Sequence, residues 1–320
     1  MSYRLKPGET AAHMTRRVAK EQIREALLEI RSPETDDAEK VHQLRKRCKK
    51  IRGLLRLARP AMPKTYDREN ARFRDLARKF SELRDAKTQL TTLDHIASEF
   101  PSTDSTELTE AYLQARQLLQ RERADLREAR SLKNQDDRCR NSKSELQSIW
   151  KDAKTELQQA LDGIDNWKWR DGKPGSFESL GEGLQKTLGR AHDAMRTATE
   201  DPSTDHMHQW RKRVKYHWYH LRLLQPIWKQ GLAGNRDDAK KLAEALGDLH
   251  DVDVLGETLR RFQKENELPS GADQLIRRLD ERRNQLSRKA LRRGRRLFAE
   301  SPAAFSKRCR VYWKLARNDA

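Results

Sequence analysis

A chain of 320 residues, 35% hydrophobic and 37% charged, has room for two ordinary domains or for one duplicated unit. Its formal net charge of +19 calls for an anionic partner, whether nucleic acid, an anionic membrane surface or a phosphate polymer, and does not choose among them. Three cysteines, Cys48, Cys139 and Cys309, lie far apart without a CxxC spacing, which argues against a disulfide framework or a zinc site and suits a reducing cytoplasm.

Glycine and proline total only 24, and long stretches rich in Leu, Ala, Glu, Lys, Arg and Gln favour helix, so the expected fold class is all-α. The opening "MSYRLKPGET" lacks the apolar core of a signal peptide, and no run of about 18 apolar residues is present to span a membrane. In chain order, helices are expected at about 12–31, 38–59, 67–98, 106–133 and 142–166. The turn formers of "WRDGKPGS" at 169–176 then interrupt the pattern, and helices resume at about 176–199, 205–229, 235–264, 271–299 and 302–317. "SPETDD" and "DPSTD" are matching turns before the second helix of each series, and their acids suit a helix N-terminus.

The second predicted helix contains "VHQLRKRCKKIRGLLRLARP" (41–60), in which eight of twenty residues are Lys or Arg and none is acidic. "MHQWRKRVKYHWYHLRLLQP" (207–226) matches it at ten of twenty positions without a gap. The same offset of 166 lays "LARKFSELRDAKTQL" (76–90) on "LAEALGDLHDVDVLG" (242–256), pairing Asp85 with Asp251. It also lays Arg116, Arg123, Arg127 and Arg130 on Arg282, Lys289, Arg293 and Arg296. The register over roughly 90 residues indicates a tandem duplication. Two pseudo-symmetric helical bundles are expected: a first half at 1–168, a linker at 169–176, and a second half at 177–320.

On a helical wheel, Val41, Leu44, Cys48, Ile51, Leu55 and Ala58 share one face. His42, Arg45, Lys46, Lys49, Gly53 and Arg56 share the opposite one, a stripe about 21 Å long at ~1.5 Å per residue. The second copy repeats it with His208, Arg211, Lys212, Lys215, Tyr219 and Arg222, opposite Met207, Trp210, Val214, Leu221 and Leu224. Solvated helix faces ordinarily mix signs, because like charges four residues apart repel. Two acid-free copies are better explained by an anion lying on them. His217 falls on the apolar side as a core histidine, and Arg47, Lys50, Arg52 and Arg59 fall off the stripe. The Arg116 and Arg282 series form further stripes, though Glu122, Asp125 and Glu128 stand among the first. If all the stripes face one space, they line a long basic groove for a linear polyanion, bound strongly, with salt sensitivity and little sequence readout.

"GDLHDVDVL" offers Asp248, His250, Asp251 and Asp253 as a metal-hydrolase signature, but the first copy has Arg84 and Lys87 in place of His250 and Asp253. Only Asp85 and Asp251 recur, which suits structural acids that orient the basic stripe. No Gly-rich phosphate loop, serine nucleophile motif or paired catalytic carboxylates appear elsewhere, so no enzyme, metal or cofactor is expected.

The twin "HQLRK" and "HQWRK" motifs, with the "LGDLHDVD" helix and the later basic helices, resemble the CHAD family over about 12–317. That resemblance implies an all-helical domain that binds inorganic polyphosphate on a central basic surface and associates with polyphosphate granules. It carries phosphate contact to His42, Arg45, Lys46 and Lys49 and to His208, Arg211, Lys212 and Lys215, with Arg56 and Arg222 extending the stripes. "RDAK" departs from the family's usual "RDxD" at Asp85. The alternative is a nucleic-acid-binding protein that holds RNA or DNA by its backbone, with a metal-dependent polyphosphate or triphosphate hydrolase less expected. Stacking of bases needs exposed aromatics, for which Tyr219 is the candidate, and the first stripe has none. Oligomeric state and polymer length are left open.

Overall fold

The computed structural model describes residues 3–80, 82–99, 105–132, 141–170 and 176–318, without the side chains of 82–87, 126–132 and 141–146. Among the described residues all regular structure is helical, as expected. The expected linker at 169–176 and Cys139 lie largely or wholly outside them.

Chain contacts divide the molecule into two units, and each draws on both halves of the sequence. The first comprises Met1–Phe80, Trp150–Glu244 and Leu291–Ala320, the second Ser81–Ile149 and Ala245–Ala290.

In the first unit, α1 (Ala11–Arg31) starts where the Thr10 hydroxyl accepts the His13 amide at 3.2 Å. Its apolar face, with Met14, Val18, Ile23 and Ile30, packs on α2 (Asp37–Ala58). α2 is capped by the Asp36 carboxylate, which accepts the Glu39 amide at 2.7 Å, with Asp37 and Glu39 in its first turn against the helix dipole. α3 (Pro63–Arg78) opens on proline and packs on α2. The expected single helix at 67–98 is therefore two. The chain breaks after Arg78, and Phe80 is buried with its ring centroid 4.6 Å from that of Trp150.

The remaining helices are α4 (Glu82–Ala97), α5 (Thr106–Leu132), α6 (Asn141–Asp162), α7 (Glu178–Glu200), α8 (Thr204–Leu224), α9 (Lys229–Lys264), α10 (Ala272–Leu297) and α11 (Pro302–Asn318). A short 3-10 turn follows α6 at Ile164–Asn166, so helix ends before the expected 166. Another, at Gln225–Ile227, holds Pro226 and follows α8, which ends at Leu224 rather than at 229, because proline cannot donate the next helical hydrogen bond. α9 then begins at Lys229, earlier than the expected 235.

α7 packs on α8, on α2 and on α11, and α2 also packs on α8. α2 is thus gripped by α1, α3, α7 and α8, which buries Gly53, Leu54 and Leu57 besides the whole apolar face expected for it. In the second unit, α4 packs on α5 through Leu90, Leu93 and Ile96 and through Leu108, Ala111 and Leu118. Tyr112 and Arg116 of α5 both donate to the Asp94 carboxylate of α4, at 2.9 and 3.0 Å.

Candidate functional site

The site is built where α2 and α8 cross. Gly53 lies against the Tyr219 ring: a β-carbon at 53 would stand 3.0 Å from Tyr219 Cδ2. The two positions are 166 residues apart, the offset of the sequence match. Beside them, the buried His220 Nε2–H donates to the Gly53 carbonyl at 2.9 Å. This contact corrects one expectation. Tyr219 is 2% exposed and forms the helix crossing, so it offers no face for a stacked base. The wheel placed positions 53 and 219 on the basic side because it weighed one core-facing side, whereas α2 and α8 also bury part of that side on each other.

Away from the crossing, the basic faces remain at the surface. His42 and Lys46 are exposed, and Arg45, Lys49 and Arg56 are half-exposed. On α8, Lys212 is exposed, and His208, Arg211, Lys215 and Arg222 are half-exposed. The cations beside the crossing are propped on aromatic rings. Arg56 lies 4.1 Å from the centroid of Tyr216 and donates to Asn70 Oδ1 at 2.6 Å. Lys215 and Arg222 lie 4.6 and 5.1 Å from the Trp218 ring. Arg222 also shares the Tyr3 ring with Lys50, at 5.6 and 5.7 Å, while the Tyr3 hydroxyl donates to the Lys50 carbonyl at 2.7 Å. These rings fix the cations at low entropic cost. Tyr216 and Trp218 were missed in the sequence; they stand one position after Lys215 and one before Tyr219, just off the predicted stripe.

The off-stripe cations divide. Arg47 is held against α1 by Glu25 and Glu29 and serves packing. Lys50 is buried, and burial, followed by the nearby Arg47 and Arg222, pulls its ammonium down to about 8. Burial lowers Arg52 as well, and its guanidinium donates to Asn70 at 3.2 Å. Arg59 sits over the Tyr66 ring at 4.7 Å. Arg52 and Arg59 therefore stand in the same basic neighbourhood as Arg56.

His217, expected in the core, is 1% exposed between the rings of Phe298 and Phe305. Burial drives its pKa down to about 3, and that of His220 to about 4, so both are neutral at physiological pH. Trp210 is likewise buried, as expected. The Cys48 and Cys309 thiols are free, buried and pushed up to about 12 by desolvation.

The second set of stripes is more neutralised. Arg116 pairs with Asp94, Arg282 with Glu99 at 3.3 Å, and Arg293 with Asp238 at 3.7 Å. Arg123 is half-exposed, and Lys289 and Arg296 are exposed; the side chains of Arg127, Arg130 and Asp85 lie outside the described residues. Asp251 is half-buried on α9. Two residues on, the buried Asp253 accepts from Arg283 at 2.7 Å; burial raises its carboxyl pKa and Arg283 opposes that shift. Among the described residues no group of three His, Cys, Asp or Glu side chains converges as a metal site. Among the described residues no helix is long and apolar enough to cross a membrane.

The family model of the CHAD domain matches residues 17–260, about three-quarters of the chain. The chain belongs to the CHAD family. The CHAD match takes in α2 and α8 entire, and so every residue of the two His-x-x-Arg-Lys faces. A search of the curated proteins returns no match.

Proposed function

We propose that this CHAD domain binds inorganic polyphosphate, without turning it over, along the basic faces of α2 and α8. The observation that carries the reading is the crossing at Gly53 and Tyr219, which sets two acid-free stripes side by side. A linear polymer with a charge on every unit can engage many Lys and Arg groups at once, and charge-assisted hydrogen bonds to phosphate oxygens need no base edge to read. His42, Arg45, Lys46, Lys49 and Arg56 form one set of contacts, and His208, Arg211, Lys212, Lys215 and Arg222 the other. The Arg116 and Arg282 series are weaker contacts, because Arg116, Arg282 and Arg293 already pair with carboxylates. The domain is cytoplasmic and travels with polyphosphate granules, as membership of the family suggests.

The two stripes descend from one duplicated unit. Besides Gly53 and Tyr219, the offset of 166 relates Arg56 to Arg222 and Tyr216 to Lys50. Arg56 meets Tyr216, and Arg222 meets Lys50 at the Tyr3 ring. Matched positions thus stand near one another on both sides of the crossing, which supports a pseudo-two-fold arrangement of the two helices.

Competition binding across a salt series tests the reading, with medium-length polyphosphate set against single-stranded RNA of equal charge. Polyphosphate is expected to win. Equal or tighter RNA binding would replace it with the nucleic-acid reading, which the burial of Tyr219 and the cations over Trp218 disfavour. Reversing Arg45 and Lys49, or Arg211 and Lys215, to Glu should weaken polyphosphate binding about tenfold or more, with a shallower salt slope and unchanged helicity. Unaltered binding would remove the stripes as the site. Phosphate release with added magnesium or manganese is expected to be absent.

A further inference from the structure

Beside the stripes, α2, α7 and α8 line a small cleft that is open to solvent. Five cations line it: Arg56 and Arg59 from the end of α2, Lys186 and Arg190 from α7, and Arg213 from α8; Tyr216 completes the wall. No acidic residue is among its lining residues. Arg213, Arg190 and Lys186 belong to neither stripe.

Register makes the lack of acid informative. In the first copy, position 213 corresponds to Arg47, which α1 neutralises with Glu25 and Glu29. The positions on α7 that correspond to those two acids hold Ala191 and Met195. Lys186 corresponds to Lys20, which pairs with Asp165 at 2.6 Å. Burial lowers the pKa of half-buried Arg213, and Arg190 and Arg56, its strongest charged neighbours, lower it further. Gathering like charges with no counter-ion opposes folding, and an anion seated among them removes that cost.

Shape narrows the anion. Gly183 of α7 approaches α2 so closely that a β-carbon there would stand 2.0 Å from the Leu57 carbonyl oxygen. The backbones of α2 and α7 therefore close the pocket at Gly183, and a polymer that enters cannot thread past that contact. A chain interior needs two exits and carries one charge per phosphate, whereas a chain end needs one exit. The end group also carries a second ionisable oxygen, with a pKa near about 6 in phosphate monoesters, so it is close to dianionic at neutral pH.

We infer that this pocket binds the terminal phosphates of a linear polyphosphate chain, as a site beside the stripes that hold chain interiors, sharing Arg56 with the first of them. The inference rests on the polyphosphate reading and adds an end-recognition site to it. The same compact run of phosphates with a free end also occurs in a nucleoside triphosphate, so the test separates these sources.

Calorimetric titration of the full chain would compare linear tripolyphosphate, cyclic trimetaphosphate, ATP, and long polyphosphate with free or esterified ends. Tripolyphosphate is expected to bind about tenfold more tightly than trimetaphosphate and more tightly than ATP. The Arg190→Gln, Arg213→Gln double variant should lose that preference and bind end-blocked long chains as the unaltered protein does. Both substitutions keep much of the side-chain stem, and circular dichroism with thermal melting checks that the fold survives. Equal binding of the linear and cyclic trimers, or a preference retained in the double variant, would overturn the pocket assignment. Tighter binding of ATP would overturn the chain-end assignment. The Arg45→Glu, Lys49→Glu variant separates the two readings: it should weaken long chains and leave tripolyphosphate unchanged. If it spares long chains while the pocket variant abolishes tripolyphosphate binding, the stripe fails and the pocket stands as a compact-phosphate site.

Discussion

The helix pairs α1–α2 and α7–α8 present matching basic helices on different chemical supports. In the first pair, Arg47 is drawn into α1 by two carboxylates, and Arg17 of α1 is fixed by Glu9 and Glu21. In the second pair, the corresponding positions on α7 hold Ala191, Met195, Gly183 and Thr187. There the helices pack through small and apolar groups and leave their cations to face a pocket. The buried positions diverge as well: Ile51 and Leu54 of α2 correspond to His217 and His220 of α8. Between α1 and α2 charge helps to hold the helices together, whereas α7 and α8 leave cations lining a cleft.

The comparison breaks most visibly under acid. His217 and His220 titrate near about 3 and about 4 in the folded protein, below the ordinary 6.5. Between pH 6.5 and 4 the unfolded chain takes up protons that the native state refuses, so these two groups make stability fall as pH falls. At about pH 4.5 the loss is on the order of 5 kcal/mol, since each histidine gives up ~1.4 kcal/mol for every pH step of one below its ordinary value. Chemical denaturation across pH checks it. Replacing His217 with Ile, the residue of the first pair, should flatten about half of that slope; an unchanged slope would place the acid sensitivity elsewhere.

Next in size is Gly183→Ala. Its methyl group would overlap the Leu57 carbonyl, and parting α7 from α2 should cost about 3 kcal/mol in urea unfolding. Full stability in this variant would show that the helices do not touch there. The finest comparison sets Arg47→Met against Arg213→Met. The first strands two mostly buried carboxylates and should cost about 2 kcal/mol. The second relieves like-charge crowding and should leave stability within ~1 kcal/mol of the unaltered protein, or raise it. Equal losses would mean that Arg213 has a structural counter-ion after all.

Much of this was legible in the residues. Every member of the apolar face assigned to α2, from Val41 to Ala58, is buried, and so are Met207, Trp210, Val214, Leu221 and Leu224 of α8. Periodicity reports this well because one continuous stripe must face a core. It does not report which second face a helix buries when four neighbours grip it, which is why Gly53 and Tyr219 were assigned to the ligand side. The break after Arg78 was also hidden: the residues there favour helix, and the burial of Phe80 beside Trp150 decides the matter. The pocket of Arg190 and Arg213 left a trace that could have been found. At the offset of 166, α7 lacks the acids with which α1 answers Arg47.

The Gly53–Tyr219 contact also bears on what either half could become without the other. Two copies of the first half, crossed in this way, would bring glycine to glycine and leave a hole where the phenol ring sits. Two copies of the second would drive one tyrosine ring into another. The smallest side chain and one of the larger ones stand 166 residues apart, at matched positions of the two basic helices, and each fills the space the other leaves. The fit of glycine to tyrosine is one between unlike helices, and a crossing of two identical helices would lack it.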